Sequence, residues 1–241
     1  LDEEEVRKDV EFFLKEGVEA VAVCFMNSFA NSDHEERAGR IVREMMPEAY
    51  LSVSTMVLPS IRFYDRVSTT VLNAYVGPIL EKYLRSLLNK LDEAGFANVL
   101  LIMQSNGGVI SPGIAMENAA TTLLSGPAGG PVAGTVYAGI QDYRDCITMD
   151  MGGTSFDCAL IKDALPLTTT MGEINRLRLG LPMLNVVSIG AGGGSIGWID
   201  EGGLLRMGPQ SASSDPGPAC YGLGGKEPTC TDADLILGYL D

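Results

Sequence analysis

Between Cys146 and Lys162 the chain reads CITMDMGGTSFDCALIK, and no other stretch restricts the fold as strongly. Ile147, Thr148 and Met149 suit a strand, and Asp150 closes it. Gly152 and Gly153 then place a turn where no side chain is in the way, so the backbone can come close to another group. Thr154 and Ser155 add hydroxyls and exposed N–H groups, and Phe156, Cys158, Leu160 and Ile161 resume a strand with Asp157 just past the turn. Amides in such a turn suit phosphate oxygens. A neighbouring carboxylate suits hydrated Mg²⁺, which keeps several waters and takes only one or two carboxylates. An ordinary hairpin with a glycine turn fits the same residues.

Around this hairpin the pattern predicts an α/β chain. Asp2 to Lys15 places Val6, Val10, Phe13 and Leu14 on one helical face, with acids in the first turn and Gly17 as the stop. Ala20 to Phe25 reads as a buried strand and Tyr50 to Val53 as a short one. Between them runs a helix capped by Asn31 or Ser32 and reaching about Met46. Two helices are expected at 59–74 and 78–94, the second with a packing stripe of Leu80, Leu84, Leu87, Leu88 and Leu91, and then a strand at 99–103. Strands alternating with helices argue for parallel pairing. After a small-residue helix at 131–140 the pattern changes to consecutive strands at 146–150, 156–162 and 165–170. A mixed-charge loop follows at 172–182, a strand at 186–189, ordered loops and short strands at 200–229, and a helix from about Asp232. The expected domain boundary lies near 141, dividing 1–140 from 141–241.

Several other segments are candidates for chemistry. Gln104-Ser-Asn-Gly-Gly108 follows a strand, where open α/β sheets place ligands, so Asn106 is a candidate for contact with substrate or phosphate. A turn that uses Asn and Gly for left-handed backbone is the alternative. Gly190-Ala-Gly-Gly-Gly-Ser195 leaves room, at Gly192 and Gly193 above all, for a ligand or for another backbone, and it is not a dinucleotide fingerprint because no long helix follows. Ser125-Gly-Pro-Ala-Gly-Gly130 allows anion binding at a helix start or close helix packing. Asp215 and Asp232 are candidates for metal or substrate contact, or solvated loop acids. Cys220 lacks an evident base, since His34 is the only histidine, which argues against Ser-His-Asp, Cys-His and His-metal devices.

A net charge of −14 argues against nucleic acid or an anionic membrane surface as partner, because both call for basic patches. Five cysteines without a Cys-x-x-Cys pair argue against a disulfide framework or zinc site and fit a reducing cytoplasm. No apolar run is long enough to span a bilayer. The chain starts at Leu1-Asp-Glu-Glu-Glu and ends at Gly238-Tyr-Leu-Asp241, which reads as a fragment of a longer protein.

Asp150-Met-Gly-Gly-Thr-Ser-Phe-Asp157 resembles the second phosphate-binding hairpin of the actin-like ATPase superfamily, with its RNase H-like fold, and 125–139 resembles the connecting helix before it. A narrower resemblance rests on Gln104–Gly108, Thr122–Gly129, Ile189–Ile196, Asp215–Gly222 and Pro228–Asp234, five motifs in order. Together they are similar to the hydantoinase A and 5-oxoprolinase family, whose relatives include ATP-dependent carboxylase subunits. The resemblance implies part of one actin-like lobe before residue 141 and the start of the second after it. It implies ATP and Mg²⁺ as cofactors, with phosphorylation of a cyclic amide or imide carbonyl and ring opening by water. Asp150 is then catalytic and metal-binding, with Gly152, Gly153, Thr154 and Ser155 handling phosphate and Gly192 and Gly193 also at the cofactor. A small-molecule cyclic amide substrate and a second, hydantoinase B-like subunit are implied, and a homo-oligomer stays open. A carboxylase subunit, an actin-like small-molecule kinase and a non-catalytic lobe are the alternatives. The family's first Asp-x-Gly-Gly-Thr hairpin and its late adenosine segment do not occur in this sequence, so weak ATP binding or none is expected of the chain alone. Asn27 stands where many members look to have His, which leaves the substrate class open.

Overall fold

The computed structural model describes residues 1–241. The chain divides into two compact units, Leu1–Ala128 with Thr168–Leu184, and Gly129–Leu167 with Asn185–Asp241. This differs from a boundary near 141. The small-residue helix groups with the strands that it packs on, and a short hairpin late in the sequence rejoins the first unit.

In the first unit α1 (Glu3–Glu16) starts at Asp2, whose carboxylate accepts from the N–H groups of Glu4 and Glu5, and stops at Gly17 with φ 68°. Strands β1 (Ala20–Val23) and β2 (Tyr50–Val53) pair in parallel, Ala20 opposite Tyr50, across the helical connection α2 (Asp33–Met45). Val10, Val21, Val23, Ile41, Val42 and Met46 close the core between them. After the single turn α3 (Ser54–Val57) comes α4 (Phe63–Glu93), one helix of 31 residues where the sequence predicted two. Pro78 lies inside it, lacking one hydrogen bond and crowding a carbonyl, at a typical penalty of about 3 kcal/mol. Burial on both sides outweighs this: Asn73, Ala74, Gly77 and Leu84 are buried, and the Tyr50 ring packs directly on Gly77. Hairpin β3 (Ile102–Met103) and β4 (Val109–Ile110) leads into α5 (Pro112–Glu117). The expected loop at 172–182 is instead a hairpin, Gly172–Ile174 against Leu177–Leu179, and Leu179 joins Leu72, Ala120 and Met183 in a second core.

The loop after β1 is held by two buried charges that do not bridge each other. Glu35 accepts from Phe25 N at 2.7 Å, Ser28 Oγ at 2.7 Å, Ser54 Oγ at 2.6 Å and Thr55 N at 3.0 Å. Burial pushes its carboxyl up, but these two hydroxyls and two amides outweigh it and leave the group below its ordinary value. Arg66 donates to the carbonyls of Ser60 and Phe25 and lies over the rings of Phe29 and Phe63. Asn27, in left-handed backbone at φ 57°, sits in the loop that they clamp.

In the second unit α6 (Gly129–Ile140) packs on an antiparallel sheet in the order β7 (Val186–Ile189), β6 (Phe156–Lys162), β5 (Cys146–Met151). Gly134 makes the close approach possible, because a Cβ there would collide with the Thr148 side chain and lie 3.2 Å from Ile161 Cδ1. That face of the sheet is the core side, with Ala159 and Ile161 buried. Strands β8 (Ser195–Ile199) and β9 (Leu205–Ser211) form a second hairpin, and α7 (Cys230–Leu237) follows. No helix of the chain is long and apolar enough to cross a membrane.

Candidate phosphate-binding site

The β5–β6 hairpin places Met151 opposite Phe156 and Asp150 opposite Asp157. Its turn, 152–155, is closed by Gly152 N–H donating to Ser155 O at 3.0 Å. The N–H groups of Gly153, Thr154 and Ser155 have no protein acceptor, and Gly152, Gly153 and Thr154 are exposed. A Cβ on Gly153 would meet no atom within 4 Å, so the glycine keeps one side of the turn clear. Three free amides and the Thr154 hydroxyl on a bare turn are a donor set for an anion with several oxygens.

The Asp150 side chain is exposed, and its carboxylate accepts no hydrogen bond within the chain. Asp157, which the sequence places just past the turn without assigning it a role, is half-buried and accepts from Ser155 Oγ at 2.9 Å and from Ser188 Oγ. Two carboxylates directly opposite on one sheet face repel each other by about 0.2–1 kcal/mol unless a cation lies between them. No group of three or more His, Cys, Asp or Glu side chains gathers as a metal cage. Two carboxylates and no third ligand fit a cation that keeps most of its waters, as Mg²⁺ does, better than a dehydrated Zn²⁺ or Ca²⁺.

Gly192 and Gly193 lie against this turn from behind. Gly193 N–H donates to Gly152 O at 2.9 Å and Gly194 N–H to Gly153 O at 2.7 Å. A Cβ on Gly192 would fall 2.7 Å from Gly152 O and Thr154 N. Of the two alternatives left open for the glycine run, the structure fills the space with another backbone. The Gly193 amide, taken up by the Gly152 carbonyl, holds the 152–155 turn and is not free to bind an anion.

Three further segments complete this cluster. Ser195 Oγ accepts from Gly192 N at 2.8 Å, closing the glycine turn. Thr231 N–H donates to Gly193 O at 2.8 Å. Thr229 and Asp232 form a capping box at the start of α7, and the Asp232 carboxylate also accepts from Cys220 N at 2.7 Å and Ala219 N at 3.3 Å. Asp232 is therefore a structural cap, while Asp215 is an exposed loop acid. Burial pushes the Asp232 carboxyl up, but the bonds from Cys220 and Thr229 prevail and hold it far below its ordinary value. What this carboxylate contributes to stability is present above about pH 4 and is lost only as pH falls through the depressed value.

The same carboxylate raises the Cys220 thiol, first through their hydrogen bond and then through burial and charge. Because the thiolate is the reactive form, Cys220 is expected to alkylate slowly at pH 8 despite its exposure. Asp232→Asn should speed labelling of the Cys220 peptide several-fold, roughly tenfold per unit of pKa relieved. Unchanged labelling, followed by mass spectrometry, would remove the carboxylate as the cause.

Asn106 belongs to the first unit, at the tip of β3–β4. Its Oδ1 accepts from Gly108 N at 2.8 Å, and Gly107 has φ 84°. The preceding strand is only two residues long and pairs antiparallel, not parallel as the sequence suggested, so turn geometry accounts for what this side chain does. Ser105 ties the motif to 121–123 through N–H and Oγ bonds to carbonyls of Thr121 and Leu123.

A model of the hydantoinase/oxoprolinase family matches residues 66–241, and a model of the hydantoinase/oxoprolinase N-terminal region matches residues 1–46. The chain is 43% identical over 241 residues to caprolactamase subunit alpha of Pseudomonas jessenii, covering 100% of this chain and 34% of that protein. It superimposes on the crystal structure of ATP-dependent caprolactamase from Pseudomonas jessenii with a TM-score of 0.81 at 41% identity, covering 100% of this chain and 35% of that one. With nucleotide-free acetone carboxylase the TM-score is 0.80 at 29% identity, over 100% and 34% of the two chains. The α/β fold is thus shared with these enzymes along the whole chain, consistent with the actin-like ATPase type. The chain spans about a third or less of the length of the curated relatives that it matches.

Proposed function

Because the chain belongs to the hydantoinase/oxoprolinase family, we propose that its Asp150–Asp157 hairpin binds the phosphates of Mg-ATP in an ATP-dependent hydrolase of a cyclic amide. The observation that carries this reading is the turn itself, with three acceptor-free amides beside two facing carboxylates. In such a reaction the ring carbonyl oxygen would take the γ-phosphoryl group and release ADP; water would then add to the activated carbon, the ring C–N bond would break and phosphate would leave. In this scheme the amides of Gly153, Thr154 and Ser155 and the Thr154 hydroxyl hold phosphate oxygens, and Asp150 and Asp157 hold hydrated Mg²⁺. Preorganised donors and a metal placed where charge develops are the main contribution a protein makes to phosphoryl transfer. Relatives named as subunits support a second subunit as partner. On this reading each of the two compact units belongs to one lobe of the actin-like fold, and the protein works in the cytoplasm.

The likeness to acetone carboxylase favours one alternative, an ATP-dependent carboxylase subunit. Phosphate release separates the two. The full-length protein that carries this chain, with its partner subunit, is expected to release phosphate from Mg-ATP when given a lactam, a hydantoin or 5-oxoproline. Release that requires a ketone and bicarbonate would replace the hydrolase reading with the carboxylase one. No Mg-ATP binding by calorimetry would remove both.

A further inference from the structure

We propose that α7 aims the phosphate amides, acting through Thr231 and the glycine turn at 192–194 as a positioning strut; the inference rests on the reading of 152–155 as a phosphate turn. A planar trans peptide points its C=O and the following N–H in opposite directions. Gly193 N–H holds Gly152 O at 2.9 Å, which directs Gly153 N–H the other way. Gly194 N–H holds Gly153 O at 2.7 Å, which does the same for Thr154 N–H. Two of the three free amides are therefore aimed by hydrogen bonds on their far side.

The glycine turn is in turn supported by α7. Thr231 N–H reaches Gly193 O at 2.8 Å, and Thr231 Oγ1 lies 2.6 Å from where a Gly193 Cβ would be. The first turn of α7 is fixed by the Thr229–Asp232 box, and Asp232 also fastens 219–220 to it. From α7 to the phosphate turn the path is backbone on backbone, with no side chain at 192–194 to adjust its length. A displacement of α7 is passed to the amides undiminished, and misplacing a positioning group by 1 Å costs up to about 100-fold in rate.

The test is a mutant cycle in the full-length protein. Gly193→Ala keeps an allowed backbone, as its φ lies outside the left-handed region, but its Cβ meets Thr231 Oγ1. Mg-ATP is expected to bind roughly tenfold more weakly to Gly193→Ala. The double variant Gly193→Ala/Thr231→Ala, which removes the colliding oxygen, should regain most of that loss, a coupling that two independent structural lesions do not produce. Gly193→Ala binding like wild type, or a double variant no better than the single one, overturns the strut while normal wild-type binding keeps the phosphate site. If wild type itself does not bind Mg-ATP, the functional reading falls. The strut is then judged by hydrogen exchange of 150–156, expected to quicken in Gly193→Ala and to slow again in the double variant; unchanged exchange overturns it.

Discussion

Asp150→Asn is expected to lower Mg-ATP-dependent turnover of the full-length protein on the order of 100- to 1,000-fold, the effect of removing one preorganised charge-stabilising group. The fold should not suffer. The Asp150 carboxylate is exposed and accepts no hydrogen bond within the chain, so an isosteric amide removes no structural contact. It also relieves the repulsion with Asp157 across the hairpin, so without ligand the melting temperature should stay the same or rise slightly. With saturating Mg-ATP the wild type should gain stability in proportion to the logarithm of ligand over Kd, and the variant should lose most of that gain. A variant that falls in melting temperature without ligand would make Asp150 structural. One that keeps its Mg²⁺ dependence would take it out of the metal site.

Much of this architecture was legible in the sequence where local chemistry decides it. The Asp2 cap and Gly17 stop bound α1 to within a residue, and the β-rich runs at 50–53 and 186–189 are strands as read. The hairpin at 146–162 followed from two β-compatible runs around a double glycine. What escaped depends on partners distant in sequence. Pro78 argued for a break, and burial of its neighbours against β2 and the rest of the first unit kept α4 whole. Glu35 lies among the acids of the first turn of α2, yet it is a buried acceptor of four hydrogen bonds. No local pattern shows that Ser28, Ser54 and two amides converge on it.

The candidate site shows the same division. The turn at 152–155 was visible as bare backbone, but the role of the glycine run at 190–194 was not, since small residues admit a ligand and a second backbone equally. Asp157 was visible as a residue past the turn, and only the strand register places it opposite Asp150. Asp232 read as a metal or substrate contact or a solvated loop acid, and the signal that could have found its role was the spacing Thr229-x-x-Asp232 before an apolar run, a capping box. In sequence, residues 150–157, 190–195, 215–222 and 228–234 are separate motifs; in the fold they are consecutive layers behind one turn.

That layering makes Gly192→Ala a damaging substitution for the phosphate turn proposed at 152–155. The new Cβ would lie 2.7 Å from Gly152 O, 2.7 Å from Thr154 N and 2.8 Å from Gly153 C, all of them backbone atoms. No rotamer change can relieve such contacts, so the two turns must separate. Separation weakens the bonds from Gly193 and Gly194 to Gly152 and Gly153, and with them the aim of the phosphate amides. Overpacking of this kind typically costs about 1–3 kcal/mol, which should appear as a lower denaturation midpoint. Mg-ATP affinity should fall further than stability alone explains, because the displaced atoms belong to the turn itself. Gly190→Ala is the internal control: a Cβ there meets nothing within 4 Å, although it lies in the same glycine run. If both variants behave like wild type, the packing of 192 on 152–154 is not what holds the turn. If both are equally impaired, the loss comes from stiffening the run and not from the contact. Impairment confined to Gly192→Ala ties the phosphate turn to the backbone behind it.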